Sequence, residues 1–473
     1  MGQAEMGLQA DAGARQVPLA AEIALLLVND LCDNNDHPEI WEAFPQFLEM
    51  VPDLPELIAD RLEIAASMPR NIGHALEVLH AMCLAYGGDL AAAASSLSAL
   101  SVRVSQSPLV QGALFHVLGR MDPDNPRYAL KGKFCPDPFE RLEVLESTSN
   151  LCCASYLPLS AGDLNRKTWR EVWNSENAQR IRASMHDGSF RHCNKMDCPV
   201  IQRDLLQSKA EVAAKSSYWR ALIDAGETEL DHGPVTVNLA YDKTCNLSCP
   251  SCRTEKIAAD SETRARYARL QENAILPLLA NTQTVFITGS GDPFASKNFR
   301  QLLERLVPED YPDLRFIVMT NGMLFTPREW ARFPALHGRV KSLQISLDAA
   351  TGPTHELLRR GARWETMERN LAFAAELRRQ GLVDRLNLRF TVQRENYREM
   401  GDAVDLCERL GADSIDFSRV TNWGTFSVAE YADKAVFVES HPEYHQFCEA
   451  MRDQRLRRPC AIMGNLTGFL SAA

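Results

Sequence analysis

From Pro234 onward the chain repeats one pattern: a short run of β-branched and apolar residues, then a longer run with helical spacing. The strand-like runs are VTVNLAYD (235–242), TVFITG (284–289), LRFIVMTN (314–321), VKSLQISLD (340–348), LNLRFTVQ (386–393) and SIDFSRV (414–420). Helical stretches such as ETRARYARLQENAILPLLA, NFRQLLERLV, ETMERNLAFAAELRRQ and YREMGDAVDLCERLG lie between them. Strand–helix units in series call for a parallel sheet with right-handed crossovers. The apolar richness of the strands predicts a sheet covered on both faces. An α/β fold, a partial (β/α)6 TIM-like barrel, fits residues 234–420. In such folds ligands sit at the C-terminal ends of the strands, so the polar residues there are the ones to read for function.

A chain of 473 residues has room for two to four domains. Residues 1–16 read as a loose polar tail. Residues 17–120 read as an all-α N-terminal domain, because AEIALLLVNDL, PELIADRLEIAASM, IGHALEVLHAMCLAY, LAAAASSLSALSVRV and LVQGALFHVLGRM carry apolar residues at helical spacing. Without a repeat signature this is a plain helical bundle, and His74, His80 and His116 are ordinary members of it. A turn-rich linker (121–133) leads to a small cysteine-rich segment (134–200), a helical connector (201–233), the barrel (234–420) and a C-terminal extension (421–473). Within the cysteine-rich segment, TWREVWNSENAQRIRASMHDG reads as one amphipathic helix stopped by Gly188.

The formal net charge is −11 with no long basic run, which speaks against a nucleic-acid partner. No apolar run reaches spanning length; Ala20 to Val28 is too short and contains Glu22. The first residues lack the layout of a signal peptide. The expectation is a cytoplasmic protein with no membrane partner. Thirteen cysteines are many for a reducing compartment, where disulfides are rare. Eight of them fall between Cys135 and Cys252, a clustering that points to metal or redox chemistry.

Directly after the first strand comes YDKTCNLSCPSCR, with Cys245, Cys249 and Cys252 spaced C-x3-C-x2-C. Three thiolates can hold three corners of an iron–sulfur cube and leave the fourth iron open to a small ligand. A zinc shared with a distant ligand, or a chance grouping, are the other readings of the spacing alone. The second strand ends in TGSGDPF, where Gly289 and Gly291 permit close backbone approach and Ser290 and Asp292 supply polar groups. The third ends in Thr320-Asn321-Gly322 and the fourth in Ser346-Leu347-Asp348. Gln393 and Asn396 follow the fifth. All fall on the rim that carries the cysteine loop.

In these motifs the region from about 235 to 420 resembles the radical S-adenosylmethionine (SAM) superfamily. The resemblance implies that Cys245, Cys249 and Cys252 bind a [4Fe–4S] cluster whose fourth iron is chelated by SAM. One-electron reduction would then yield a 5′-deoxyadenosyl radical that takes hydrogen from a substrate. It further implies SAM contacts at Gly289, Ser290, Gly291, Asp292, Asn321, Ser346 and Asp348. Asp292 stands where the family has Glu, Ser290 interrupts the glycine pair, and Ser251 replaces a frequent aromatic near the adenine. Residues 135–198 resemble the SPASM-type extension, here ahead of the barrel instead of behind it. That likeness implies an auxiliary [4Fe–4S] cluster on Cys135, Cys152, Cys193 and Cys198, with Cys153 as an alternative to Cys152 and zinc as an alternative metal. Such enzymes draw electrons from a donor such as flavodoxin or ferredoxin and act on peptide or carbohydrate-type substrates. An iron–sulfur or zinc protein with an electron-transfer or scaffolding role is the competing function. Cys32, Cys83, Cys407, Cys448 and Cys460 are isolated, and His441 and His445 read as structural or substrate-facing.

Overall fold

The computed structural model describes residues 40–62, 70–104 and 107–471. The tail 1–16, the run Ala20–Val28 and Cys32 lie outside the described residues. The chain forms two compact units, one from Met1–Pro138, Cys152–Ser160 and Glu176–Glu229, the other from Phe139–Leu151, Ala161–Ser175 and Leu230–Ala473. These units cut across the boundaries drawn from sequence, because the cysteine-rich segment contributes to both.

The first unit opens with helices Ile40–Met50, Leu54–Leu62, Arg70–Tyr86, Leu90–Arg103 and Pro108–Met121. Their apolar faces share a core that includes Phe44, Ile58, Leu79, Leu97 and Val110. Asp89 and Ser107 start two of them by accepting from the backbone N–H three residues on, which satisfies donors the helix itself leaves unpaired. Two short strands, β1 (Lys133–Phe134) and β4 (Gln207–Ser208), pair antiparallel in this unit.

The second unit is built on a nine-stranded sheet. Its strands are β2 (Arg141–Val144), β3 (Ser149–Asn150), β5 (Thr236–Leu239), β6 (Thr284–Ile287), β7 (Arg315–Thr320), β8 (Val340–Ser346), β9 (Leu386–Val392), β10 (Ser414–Arg419) and β11 (Ala461–Ile462). They run in the order β11, β10, β9, β8, β7, β6, β5, β2, β3, parallel throughout except for the β2–β3 pair. The six strands expected from sequence are all present and neighbour one another in chain order. Three more were not foreseen: β2 and β3 extend the sheet beyond β5, and β11 adds to β10.

Burial alternates along β7 and β9, whereas β5 and β6 are buried at most positions. In β9, Leu386, Leu388, Phe390 and Val392 are buried while Asn387, Arg389 and Thr391 are half-exposed. β7 repeats the pattern. Amphipathic helices Lys297–Arg305, Trp364–Arg379 and Met400–Leu410 bury their own apolar residues. Toward the N-terminal ends of β8, β9 and β10, Ser342, Asn387, Ser414 and Asp416 form a hydrogen-bonded row at 2.6–3.1 Å, and Arg389 pairs with Asp416 at 3.3 Å.

The helix expected over 168–188 is two helices, Trp169–Trp173 and Glu176–His186. Asn174 breaks it. Its side chain donates to the Leu230 carbonyl at 2.7 Å and accepts from the Leu230 N–H at 2.9 Å, bonds that reach away from the helix. Gly188 follows the second helix with φ +77°, as the stop required. Among the described residues no helix is long and apolar enough to cross a membrane.

Burial, then the nearby cations Arg120 and Lys195, push His116 down to about 4. In the unfolded chain it titrates near 6.5, so between those values the unfolded state binds more protons. The helical domain should therefore hold its full stability above about pH 6.5 and lose stability as the pH falls toward 4. Thermal unfolding followed across that window checks this, and His116→Gln should flatten the slope. An equally steep slope in the variant would remove His116 as its cause.

Candidate metal centre

The loop between β5 and helix Ser261–Leu270 carries Cys245, Cys249 and Cys252. Its shape is held by backbone and side-chain bonds. The Cys245 N–H donates to Ile257 O at 2.9 Å, and the Cys252 and Arg253 N–H groups donate to Cys249 O at 2.9 and 3.0 Å. Arg360 clamps the loop from outside, with Nε on Ser248 O at 3.0 Å and Nη2 on Thr254 O at 2.7 Å, while the Ser248 N–H donates to Arg360 O at 3.1 Å.

Every thiol of the trio has an N–H donor. Cys245 Sγ lies 3.5 Å from both Leu247 N and Asn321 Nδ2, Cys249 Sγ lies 3.8 Å from Arg359 Nη1, and Cys252 Sγ lies 3.3 Å from Arg253 Nη2. The Arg253 guanidinium interacts electrostatically with all three sulfurs, so they share one neighbourhood. Burial, and then the Asp292 carboxylate, push the Cys245 thiol up. The twelve cysteines among the described residues are free thiols. Among the described residues no group of three or more His, Cys, Asp or Glu side chains is gathered tightly enough for a single ion. A cubane has a different requirement, since each thiolate meets its own iron. Soft sulfur donors backed by N–H groups suit such a cluster.

The adjoining rim is locked to this loop. A Cβ on Gly291 would stand 2.4 Å from Asp242 O and 2.7 Å from Thr244 O, so only glycine lets the two backbones meet. Asp292 N donates to Thr244 O at 2.9 Å. The Asp292 carboxylate is wholly buried and accepts from Phe294 N (3.0 Å), Ala295 N (3.2 Å), Thr320 Oγ1 (2.7 Å) and Asn321 N (2.9 Å). Burial raises its pKa and these donors oppose the rise. One oxygen thus caps the turn that follows β6, and the other joins that turn to the end of β7. Asp348 is used in the same way. Its backbone is left-handed (φ +60°), its carboxylate accepts from Thr391 N and pairs with Arg359 Nη2, both at 2.7 Å, and its carbonyl accepts from Asn396 Nδ2 at 2.8 Å. Asn396 also accepts from the Gln393 N–H, so this pair knits the rim. Gly289 is exposed there, Ser290, Gly291 and Ser346 are half-buried, and Asn321 is buried with its amide on Cys245 Sγ and Asn246 Oδ1. In the C-terminal extension both ring nitrogens of His441 are engaged by the backbone, a structural role.

The second cysteine set lies wholly within the first unit. Cys135 and Cys193 are pushed up by burial, with Asp137 and neighbouring thiols among the further causes. Cys152 Sγ is 3.9 Å from Asp137 Oδ2, and Cys198 senses both Asp137 and Cys153. Tyr156 is pushed up to about 12 by burial and by Cys153, Cys198 and Cys152. Five thiols from three stretches of chain therefore meet around Asp137 and Tyr156. Two residues that the sequence did not single out bring them there. Asn194 is buried; its N–H donates to Tyr156 O at 2.8 Å and its side chain to Ser155 O at 2.6 Å. Arg182 is buried in helix Glu176–His186, with Nε on Pro138 O at 3.0 Å and Nη1 on Thr228 O at 2.8 Å. Gln111 of the helical domain accepts from Met196 N at 3.0 Å and donates to Asp197, which fixes the turn between Cys193 and Cys198.

Residues 243–407 match the Radical SAM superfamily, and residues 135–199 match the SPASM iron–sulfur cluster-binding domain. This chain carries a radical SAM domain preceded by an SPASM domain. The first implies a [4Fe–4S] cluster and SAM, the second a further iron–sulfur site. Among curated relatives, the AdoMet-dependent heme synthase of Nitratidesulfovibrio vulgaris is 28% identical over 193 residues, covering 40% of this chain and 49% of that protein. That of Methanosarcina barkeri is 27% identical over 181 residues, covering 37% and 48%. The chain thus spans about half the length of the curated relatives it matches. Streptococcus suis SuiB bound to precursor peptide SuiA is similar at 14% identity and TM-score 0.34, covering 52% of this chain and 51% of that one.

Gly291→Ala should destabilise the protein by about 1–3 kcal/mol, because the new methyl group meets backbone oxygens that cannot swing aside. Urea unfolding measures this, and an unchanged midpoint would mean the loop yields freely. Asn194→Ala should cost about 1–3 kcal/mol through an unpaired buried carbonyl, and should lower iron retained by the SPASM domain while leaving the Cys245 loop loaded. Iron counts with and without Cys249→Ala separate the two sites; equal loss at both would refute a local role.

Proposed function

We propose that this protein is a radical SAM enzyme in which Cys245, Cys249 and Cys252 hold the cluster that binds SAM. The observation that carries this is the trio itself: three free thiols in one loop at the C-terminal edge of a parallel sheet, each backed by an N–H donor. Three donors leave one iron corner for a ligand that is not protein. When bound, the cluster and SAM supply a 5′-deoxyadenosyl radical for hydrogen abstraction. The chain's part is to hold and shield. Arg360 and Gly291 fix the loop, Gly289, Ser290 and Ser346 offer polar groups on the rim, and Asn321 steadies Cys245. Cys135, Cys193, Cys198 and one of Cys152 and Cys153 hold the auxiliary cluster. An electron donor of the flavodoxin or ferredoxin class serves the site.

The substrate class, a peptide or a carbohydrate, follows from the likeness to SPASM-bearing radical SAM enzymes. One observation favours a second reading, an iron–sulfur protein without radical chemistry: the carboxylates of Asp292 and Asp348 are bound inside the protein instead of being free for SAM.

Anaerobic reconstitution followed by dithionite and SAM decides between them. The enzyme reading expects 5′-deoxyadenosine, with Cys249→Ala lowering its formation to background. Full iron loading with no 5′-deoxyadenosine would leave the second reading standing.

A further inference from the structure

Two of the N–H donors to the Cys245–Cys252 trio are cations, and the function proposed above gives their charge no role. Arg253 is buried, places Nη2 3.3 Å from Cys252 Sγ and is anchored by Nη1 on Lys243 O at 2.7 Å. Among the described residues it forms no ion pair with a carboxylate; its electrostatic partners are the three thiols. Arg359 places Nη1 3.8 Å from Cys249 Sγ, while its Nη2 pairs with Asp348 at 2.7 Å and its buried Nε has no hydrogen-bond partner. Asp348 is itself fixed by the Thr391 N–H.

We propose that Arg253 and Arg359 set the reduction potential of a cluster held by Cys245, Cys249 and Cys252, and that Asp348 regulates how much of the Arg359 charge that cluster feels. The inference rests on the reading of those three cysteines as ligands. A cubane bound by three thiolates is anionic, and one-electron reduction adds another negative charge. A cation a few ångströms away therefore favours the reduced form, the more so where burial lowers the effective dielectric constant. N–H···S hydrogen bonds act in the same direction. Arg253 is uncompensated and has the larger effect. Arg359 shares its charge with Asp348 and has the smaller one. Both are positioning residues: they hold charge beside the sulfurs and take no part in bond breaking.

The signs make the test specific. The full chain is reconstituted, the paramagnetic signal that changes when SAM is added is assigned to this cluster, and that signal is titrated against potential without SAM. Arg253→Gln should move the midpoint to more negative potential, and Arg359→Gln should do so by less. Asp348→Asn keeps an acceptor for the Thr391 N–H but releases the Arg359 charge, so its midpoint should move the opposite way. Arg253→Lys and Arg359→Lys keep the charge and should recover part of each shift, which a packing defect would not do. They also carry the test, together with Asp348→Asn, where a Gln variant fails to retain iron. An unmoved midpoint in fully loaded Arg253→Gln, or a negative shift in Asp348→Asn, overturns the proposal. A chain without any SAM-responsive signal would overturn the ligand assignment itself, which is a separate result.

Discussion

The buried carboxylate of Asp292 is the constraint on which the rest of the site depends. One oxygen caps the turn that follows β6, and the other takes the Thr320 hydroxyl and the Asn321 N–H at the end of β7. Its own backbone N–H reaches Thr244, one residue before Cys245. A charged group removed from water is tolerable only when its lone pairs are filled, and four donors fill them. Three elements are tied through one residue: the end of β6, the end of β7 and the start of the cysteine loop. Gly291 beside it lets the backbones come close enough for this to happen.

Around that anchor the charges alternate. Asp348 holds Arg359, Arg359 faces Cys249, Arg253 faces Cys252, and Asp292 lies near Cys245. Most of these contacts are buried, where each charge interacts more strongly than it would at the surface. The same arrangement keeps the rim rigid and sets the electrostatic environment of the sulfurs. Rigidity and redox tuning are therefore coupled at this site, and a substitution at Asp348 touches both.

The cysteine-rich segment serves two structures at once. Residues Arg141–Val144 pair with β5 and widen the parallel sheet, while the cysteines on either side belong to the other unit. Asn194 and Arg182 do for the second thiol set what Asp292 does for the first. Each is a buried polar side chain that binds backbone carbonyls from distant stretches and so gathers thiols that the sequence scatters over 135–198.

By itself the sequence determined the six central strands, their order and the rim on which the cysteine loop sits. These rest on periodicity and on residues a few positions apart, which are local properties of a chain. It also marked both cysteine sets, because ligand spacing is local too. The tertiary structure decided the rest. Pairing of β2 with β5 joins residues about ninety positions apart, and the Arg360 clamp on Ser248 spans 112 positions. Asp292 and Asp348 read as SAM contacts at strand ends, and their oxygens are taken by donors from β7, β9 and Arg359. The break at Asn174 belongs to the same class. A hydrogen bond is chosen by whichever partner the fold brings within about 3 Å, and that choice is made only once distant segments have met.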